Sequence, residues 1–127
     1  MKTKAMKVLI SVKPQFALKI FDGTKKYEYR KRIFKNTDVN TVVVYASSPM
    51  QKVIGEFTID EIMEEEPAVL WEMTKKDSGI TKDFFDEYFL NRDHAFAIKV
   101  KDFIRYKEPK ELIDFELKFA PQSFVYL

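Results

Sequence analysis

Cysteine is absent from this 127-residue chain and glycine occurs only three times. The first absence excludes a disulfide framework, a thiolate metal site and a cysteine nucleophile. The second leaves no Gly-rich phosphate loop, and there is no G-x-S-x-G nucleophile elbow. His94 is the only histidine. Nothing around it has metal-ligand spacing, so it reads as a surface or locally satisfied polar group, and no metal or other cofactor is expected. Long hydrophobic runs are missing too. Between Met1 and Lys7 lysine alternates with small or apolar residues, and the Val8, Leu9, Ile10 stretch that follows is too short for a signal peptide or a membrane span. These absences fit a soluble, cytoplasmic protein without a membrane partner.

What is present is a globular composition: 46% apolar and 33% charged residues, with twelve Phe and six Tyr. The length suits one domain over residues 1–127, large enough to bury a core unaided. The net charge of +2 conceals a division along the chain. Residues 1–35 hold eleven Lys/Arg against Asp22 and Glu28, and the remainder holds eleven against eighteen acids, so +9 faces −7. Such a block is either solvated surface or a patch for a polyanion, and it carries function only if its cations share a face.

Lys7–Val12 reads as a buried strand. Pro14 opens a helix to about Asp22, with Phe16, Ala17, Ile20 and Phe21 as its apolar stripe and Gly23 at the C-terminal left-handed position. From Lys25 to Ile33 the period becomes two, with Tyr27, Tyr29 and Ile33 opposite Lys26, Glu28, Arg30 and Arg32. Thr41–Ala46 reads as a strand covered on both faces, and Val53–Ile59 as another, with Gly55 at a bulge or close backbone approach. The acids Glu61 to Glu66 lead into a helix at Pro67 that buries Val69, Leu70 and Met73, the acids suiting its N-terminal dipole. Thr81 caps a further helix whose Phe84, Phe85, Tyr88 and Phe89 read as core. Trp71 likewise reads as core rather than as a stacking platform. Ala95–Val100 is a strand, and the tail from Leu112 holds one or two short extended pieces. This order lacks repeated βαβ units, so the fold is α+β: a mixed, curled sheet closing toward a small barrel, with the first helix over an open end.

The most informative segment is Gly23, Lys25, Glu28 and Arg30 in the spacing G-x-K-x-x-E-x-R, followed by Lys31 and Arg32. Glu28 and Arg30, two apart on a strand, share a face and can pair, which orients the guanidinium fork. The bland alternative is an edge strand whose charges deter aggregation. Ser47 and Ser48 before Pro49 could donate to a phosphate or base, or cap a strand end.

The run ISVKPQFALKIFDGTKKYEYRKR, Ile10 to Arg32, resembles the opening of ASCH domains, matching their G-x-K-x-x-E-x-R signature at all four positions. YASSP at Tyr45–Pro49, the Gly55-Glu56 strand and PQSFVYL at Pro121–Leu127 are similar to later stretches of such proteins. The resemblance implies a PUA-like pseudobarrel with the first helix beside a cleft lined by the signature residues, and RNA or a nucleotide-like molecule as ligand. It further implies that members differ in activity: some are amidohydrolases acting on acetylated cytidine through a Lys, a Thr and a Glu, and ribonuclease activity occurs. Lys25 matches the catalytic lysine of the amidohydrolases, whereas Glu28 stands where they have Thr; Glu56 and the acids near Glu64 are candidates for their second acid only by location.

A lysine base near neutral pH must lose about three pKa units, and Glu28 opposes that loss. The leading expectation is therefore an RNA- or nucleotide-binding module whose basic cleft comprises Lys13, Lys25, Glu28, Arg30, Arg32, Ser47 and Ser48. The alternatives are a small hydrolase or ribonuclease with Lys25 and Glu28 as the reacting pair, and a regulatory protein whose basic half meets an acidic protein partner.

Overall fold

The computed structural model describes residues 6–127; Lys2 and Lys4 of the basic block lie outside them. Six strands form one mixed sheet in the order β2-β5-β4-β3-β1-β6. The strands are β1 (Met6–Val12), β2 (Tyr27–Arg30), β3 (Val39–Ala46), β4 (Lys52–Glu65), β5 (Ala95–Lys110) and β6 (Phe124–Tyr126). The helices are α1 (Pro14–Phe21), α2 (Pro67–Thr74) and α3 (Lys82–Tyr88). Only β1 and β3 pair in parallel, with α1 and β2 in the crossover; the other pairs are antiparallel. The fold is α+β with a mixed, curled sheet, as expected, the sheet closing only to a half-barrel, and α1 packs against one face of β1 and β3.

Alternation along the strands separates the core into layers. Val8, Ile10 and Val12 of β1, with Val42, Val44 and Ala46 of β3, meet Ala17, Ile20 and Phe21 of α1. Leu9, Val43 and Tyr45 point the other way, under Leu112, Phe115 and Leu117 of the C-terminal segment. This explains why β3 is buried at every position but Asn40. A third cluster packs Leu70 of α2 and Phe85 and Phe89 of α3 on Tyr29, Ala95 and Ala97.

Gly55 has both roles expected of it. The β3–β4 and β4–β5 registers shift beside it. A Cβ there would stand 2.5 Å from the Ile104 carbonyl oxygen and 2.7 Å from the Phe21 ring, so no side chain fits.

Four expectations need correction. β2 is four residues long and does not run from Lys25 to Ile33. The Lys25 N–H caps α1 by donating to the Lys19 carbonyl, and the Lys26 N–H donates to Asp77. β4 continues through Glu65, so the acids Glu61 to Glu65 belong to a strand pairing with β5, Glu61 opposite Lys99, rather than to a helix N-terminus. β5 likewise runs ten residues beyond Val100, to Lys110. In α2, Leu70 is buried but Val69 and Met73 are exposed, because the short helix turns only one narrow face to the sheet and Thr74 shares it.

Candidate functional site

A cavity of about 260 Å³ opens between α1, α3 and strands β1 and β2, which come from opposite ends of the curled sheet. Three cations line it, Lys13, Lys25 and Arg30, with one carboxylate, Glu28. Its remaining walls are chiefly aromatic: Phe16 from α1, Tyr29 from β2, and Phe84 and Tyr88 from α3. The cavity is thus an apolar box with charges at chosen points, the usual build of a small-ligand site.

Lys25 forms the floor and is only 2% exposed. Its Nζ donates to the Ser78 carbonyl oxygen at 2.8 Å and lies 4.7 Å from the Tyr29 ring centroid and 5.4 Å from that of Phe16. The 77–79 loop makes this burial possible. Gly79 adopts φ +69°, and a Cβ on it would fall 2.5 Å from Lys25 Cβ, so only glycine lets the loop close on the lysine stem. Ser78 Oγ donates to the Ile80 carbonyl and Lys19 Nζ donates to that of Gly79, holding the loop down. Loss of hydration pushes the Lys25 ammonium from 10.5 down to about 8; Glu28 acts in the opposite direction and Lys19 adds slightly to the fall. The opposition from Glu28 expected from sequence is present, but burial outweighs it. The same burial pushes the Tyr29 hydroxyl the other way, up to about 12. Thr74 Oγ1 already donates to the Leu70 carbonyl, so the Tyr29 hydroxyl is the donor in their 2.7 Å contact.

Arg30 occupies the cavity wall and serves a different end. Nη1 donates to Glu28 Oε2 at 3.3 Å and to the Ser11 carbonyl oxygen at 3.1 Å, while Nη2 donates to the Ser123 carbonyl oxygen at 2.9 Å. β2 and β6 are the two edges of the sheet. The guanidinium therefore clasps the β2 edge to β1 and to the residue before β6. Glu28 is held by the same fork and is itself buried. The segment is an edge strand, as the bland reading had it, but these two charges are not solvated.

Above the floor, Phe16 and Phe84 meet edge to face at 4.9 Å, with Lys13 Nζ 5.1 Å from the Phe84 ring and Lys31 Nζ 4.7 Å from the Tyr88 ring. Of the residues singled out from sequence, Lys13, Lys25, Glu28 and Arg30 come together in this cavity. Arg32 lies in the bend beyond β2, exposed, and Ser47 and Ser48 lie in the turn after β3, where the Ser47 N–H donates to the Val12 carbonyl; none of the three lines the cavity. Glu56 is elsewhere, accepting from Lys7 and the Tyr106 hydroxyl, and Glu64 faces His94 at the surface. Neither supplies a second acid to the cavity.

Phe84 and Tyr88, read from sequence as core, line the cavity, Tyr88 while also packing at 4.8 Å on Phe89 of the third cluster. The α3 stripe is in fact two adjacent stripes, Phe85 with Phe89 facing the sheet and Phe84 with Tyr88 facing the cavity. Trp71 packs at 5.0 Å on Phe85, in the core layer as expected. Gln122 at the cavity rim was missed, although it stands in the PQSFVYL segment.

A family model described as "Domain of unknown function (DUF365)" matches residues 5–117. The large ribosomal subunit protein uL22 of Ureaplasma parvum serovar 3 is 32% identical over 123 residues, 94% of this chain but 39% of that protein. The chain thus spans about two fifths of that relative's length. An "ASCH domain-containing ribonuclease" of Zymomonas mobilis is 28% identical over 122 residues, which cover 82% of it. The crystal structure of ASCH from Zymomonas mobilis superposes with a TM-score of 0.87 at 26% identity, covering 95% of this chain and 87% of that one.

Proposed function

The chain belongs to the family described as domain of unknown function DUF365 and has the ASCH-type, PUA-like fold, and from that premise we propose that its cavity receives one unstacked nucleotide of single-stranded RNA. The observation that carries this is the aromatic box around a buried lysine. Single-stranded RNA is recognised by splayed bases lying against aromatic faces, with cations at the phosphates. At about 260 Å³ the cavity has room for one nucleotide-sized group and not for a duplex. Lys25 is the donor at the floor, Glu28 the acceptor beside it, and Lys13 at the mouth the cation nearest a phosphate. Arg32, Ser47 and Ser48 belong to this reading only as outlying contacts for flanking nucleotides.

A second reading, RNA hydrolysis at the same site, is favoured by one specific feature. Lys25, at about 8, exchanges its proton near neutral pH, as a general acid or base must. The Zymomonas relative is named a ribonuclease.

The test is fluorescence anisotropy of short labelled single-stranded RNA across a salt series, with the RNA analysed on a gel afterwards. Two or three phosphate contacts give log K falling against log salt with a slope of about −1.5 to −2. Lys25→Met should weaken binding at least tenfold, while Lys118→Met, on an exposed turn, should leave it unchanged. Intact RNA selects the binding module; cleavage that vanishes in folded Lys25→Met selects the hydrolase. Equal losses in both variants would sink either reading.

A further inference from the structure

An amine at the floor of a largely apolar cavity has a chemistry of its own, apart from holding RNA. Lys25 Nζ is kept in place by a single strong acceptor, the Ser78 carbonyl, and by two ring faces. No carboxylate hydrogen-bonds to it among the described residues; Glu28 shares the cavity but its Oε2 accepts from Arg30. We propose that Lys25 is an imine-forming lysine and that the cavity captures aldehydes carried on phosphorylated ligands.

The class of ligand follows from the surroundings. Apolar walls keep water scarce, which favours the dehydrated adduct. Lys13 and Arg30 line the same cavity and attract an anionic group, so an aldehyde a few bonds from a phosphate satisfies both ends. In the step itself, the Nζ lone pair adds to the carbonyl carbon and the C=O pair moves to oxygen. A proton passes from nitrogen to that oxygen to give the carbinolamine. Loss of water then leaves C=N, so amine and aldehyde become imine and water with no oxidant or reductant. Glu28, held in place by Arg30, lines the same cavity and can relay the proton. The lowered proton affinity of Lys25, about 8 against 10.5 for an ordinary lysine, raises its free-amine fraction at pH 7 roughly 300-fold.

Imine formation at Lys25 does not depend on RNA binding, and the two are read out separately. The native protein at pH 7 is incubated with glyceraldehyde 3-phosphate or, in a second arm, with an oligoribonucleotide bearing one abasic residue, whose ring-opened sugar presents an aldehyde between phosphates. Borohydride then converts any imine to a stable secondary amine, and peptide mass spectrometry compares Lys25 with the exposed Lys82 and Lys118 of the same molecules. The expected result is labelling of Lys25 at least tenfold above those lysines, suppressed by inorganic phosphate, and lost when the protein is unfolded in urea before the probe is added. The arm that labels identifies the source, a free phosphorylated aldehyde or a damaged nucleic acid. Labelling of Lys25 no greater than that of Lys82 and Lys118 in both arms overturns the proposal. Because every comparison is internal to the wild-type chain, no variant has to fold.

Discussion

Lys25 and Arg30 stand five residues apart at either end of the same short segment, and the fold treats their charges in opposite ways. Arg30 is surrounded by partners: a carboxylate and two carbonyl oxygens take three of its five N–H groups. Lys25 has one carbonyl and two ring faces. Around Arg30 the partners offset lost hydration and the charge becomes structural, binding one sheet edge to the other. Around Lys25 the loss is not made good, and the ammonium is held in a state it would rather leave. A cation that stabilises the fold and a cation held against the interest of stability are thus distinguishable by counting acceptors, before any activity is measured.

The comparison breaks most easily at Arg30. Arg30→Met removes the clasp and leaves Glu28 buried without its cation, which should cost about 3–5 kcal/mol in urea denaturation. Adding Glu28→Gln should recover part of that loss, since the uncompensated charge is gone; no recovery would mean that the clasp to Ser11 and Ser123 carries the whole effect. Lys25→Met should move the other way. Burial of its charge opposes folding by about 3 kcal/mol at neutral pH, from the fall of 10.5 to about 8. Part of the gain is offset by the Ser78 carbonyl losing its donor, so a net rise of about 1–2 kcal/mol is expected, alongside the loss of ligand binding.

That advantage has a defined pH window. Below pH 8 the lysine is protonated in both folded and unfolded chains and the penalty is constant. Between about 8 and 10.5 the unfolded chain binds the extra proton, so the wild type gains stability relative to the variant as pH rises. Thermal melts of the two proteins at pH 7 and pH 10 should therefore converge; parallel curves would show that Lys25 is hydrated. A smaller effect sharpens the role of the loop. Gly79→Ala should cost about 1–2 kcal/mol, from its positive φ and from collision with the Lys25 stem. In a Lys25→Ala background the collision with Cγ is removed and the cost should shrink. Smallest of all, Tyr29→Phe removes the hydrogen bond to Thr74 and should cost about 1 kcal/mol, with Lys25 left on its ring face.

How much of this was legible from residues alone depended on whether periodicity or partner choice decided the matter. β1, α1 and β3 follow from apolar pattern, Pro14 and Gly23, and they appear within two residues of the expected bounds. Spacing says only that Glu28 and Arg30 share a face and can pair; a cleft lined by Lys25, Glu28 and Arg30 comes from the resemblance, and sequence alone does not show that the cations converge. The far halves of β4 and β5 were not legible, because each is held by pairing with the near half of the other strand, Glu61–Glu65 with Ala95–Lys99 and Phe103–Lys110 with Val53–Phe57, and carries mostly exposed residues, so neither far half shows a buried face in sequence. The aromatic walls escaped for another reason. Phe84, Phe85, Tyr88 and Phe89 form one apolar stripe on paper, and only the position of α3 between sheet and cavity divides it. The burial of Lys25 depends on Gly79, more than fifty residues away, and no local signal links the two.

The clasp also sets an order of events in time. The Arg30 guanidinium meets the Ser123 carbonyl across a separation of 93 residues, and β6 pairs with β1 only when residues 124–126 reach residues 8–10. During synthesis at about 5–20 residues per second, the helix and the lysine-bearing turn exist for roughly 5–20 s before their last wall is made. A ribosome stalled short of residue 122 would hold a chain with most of its core strands but without Gln122 in the cavity lining, the Ser123 acceptor of the clasp or β6, so on the function proposed above capture would await the last few residues.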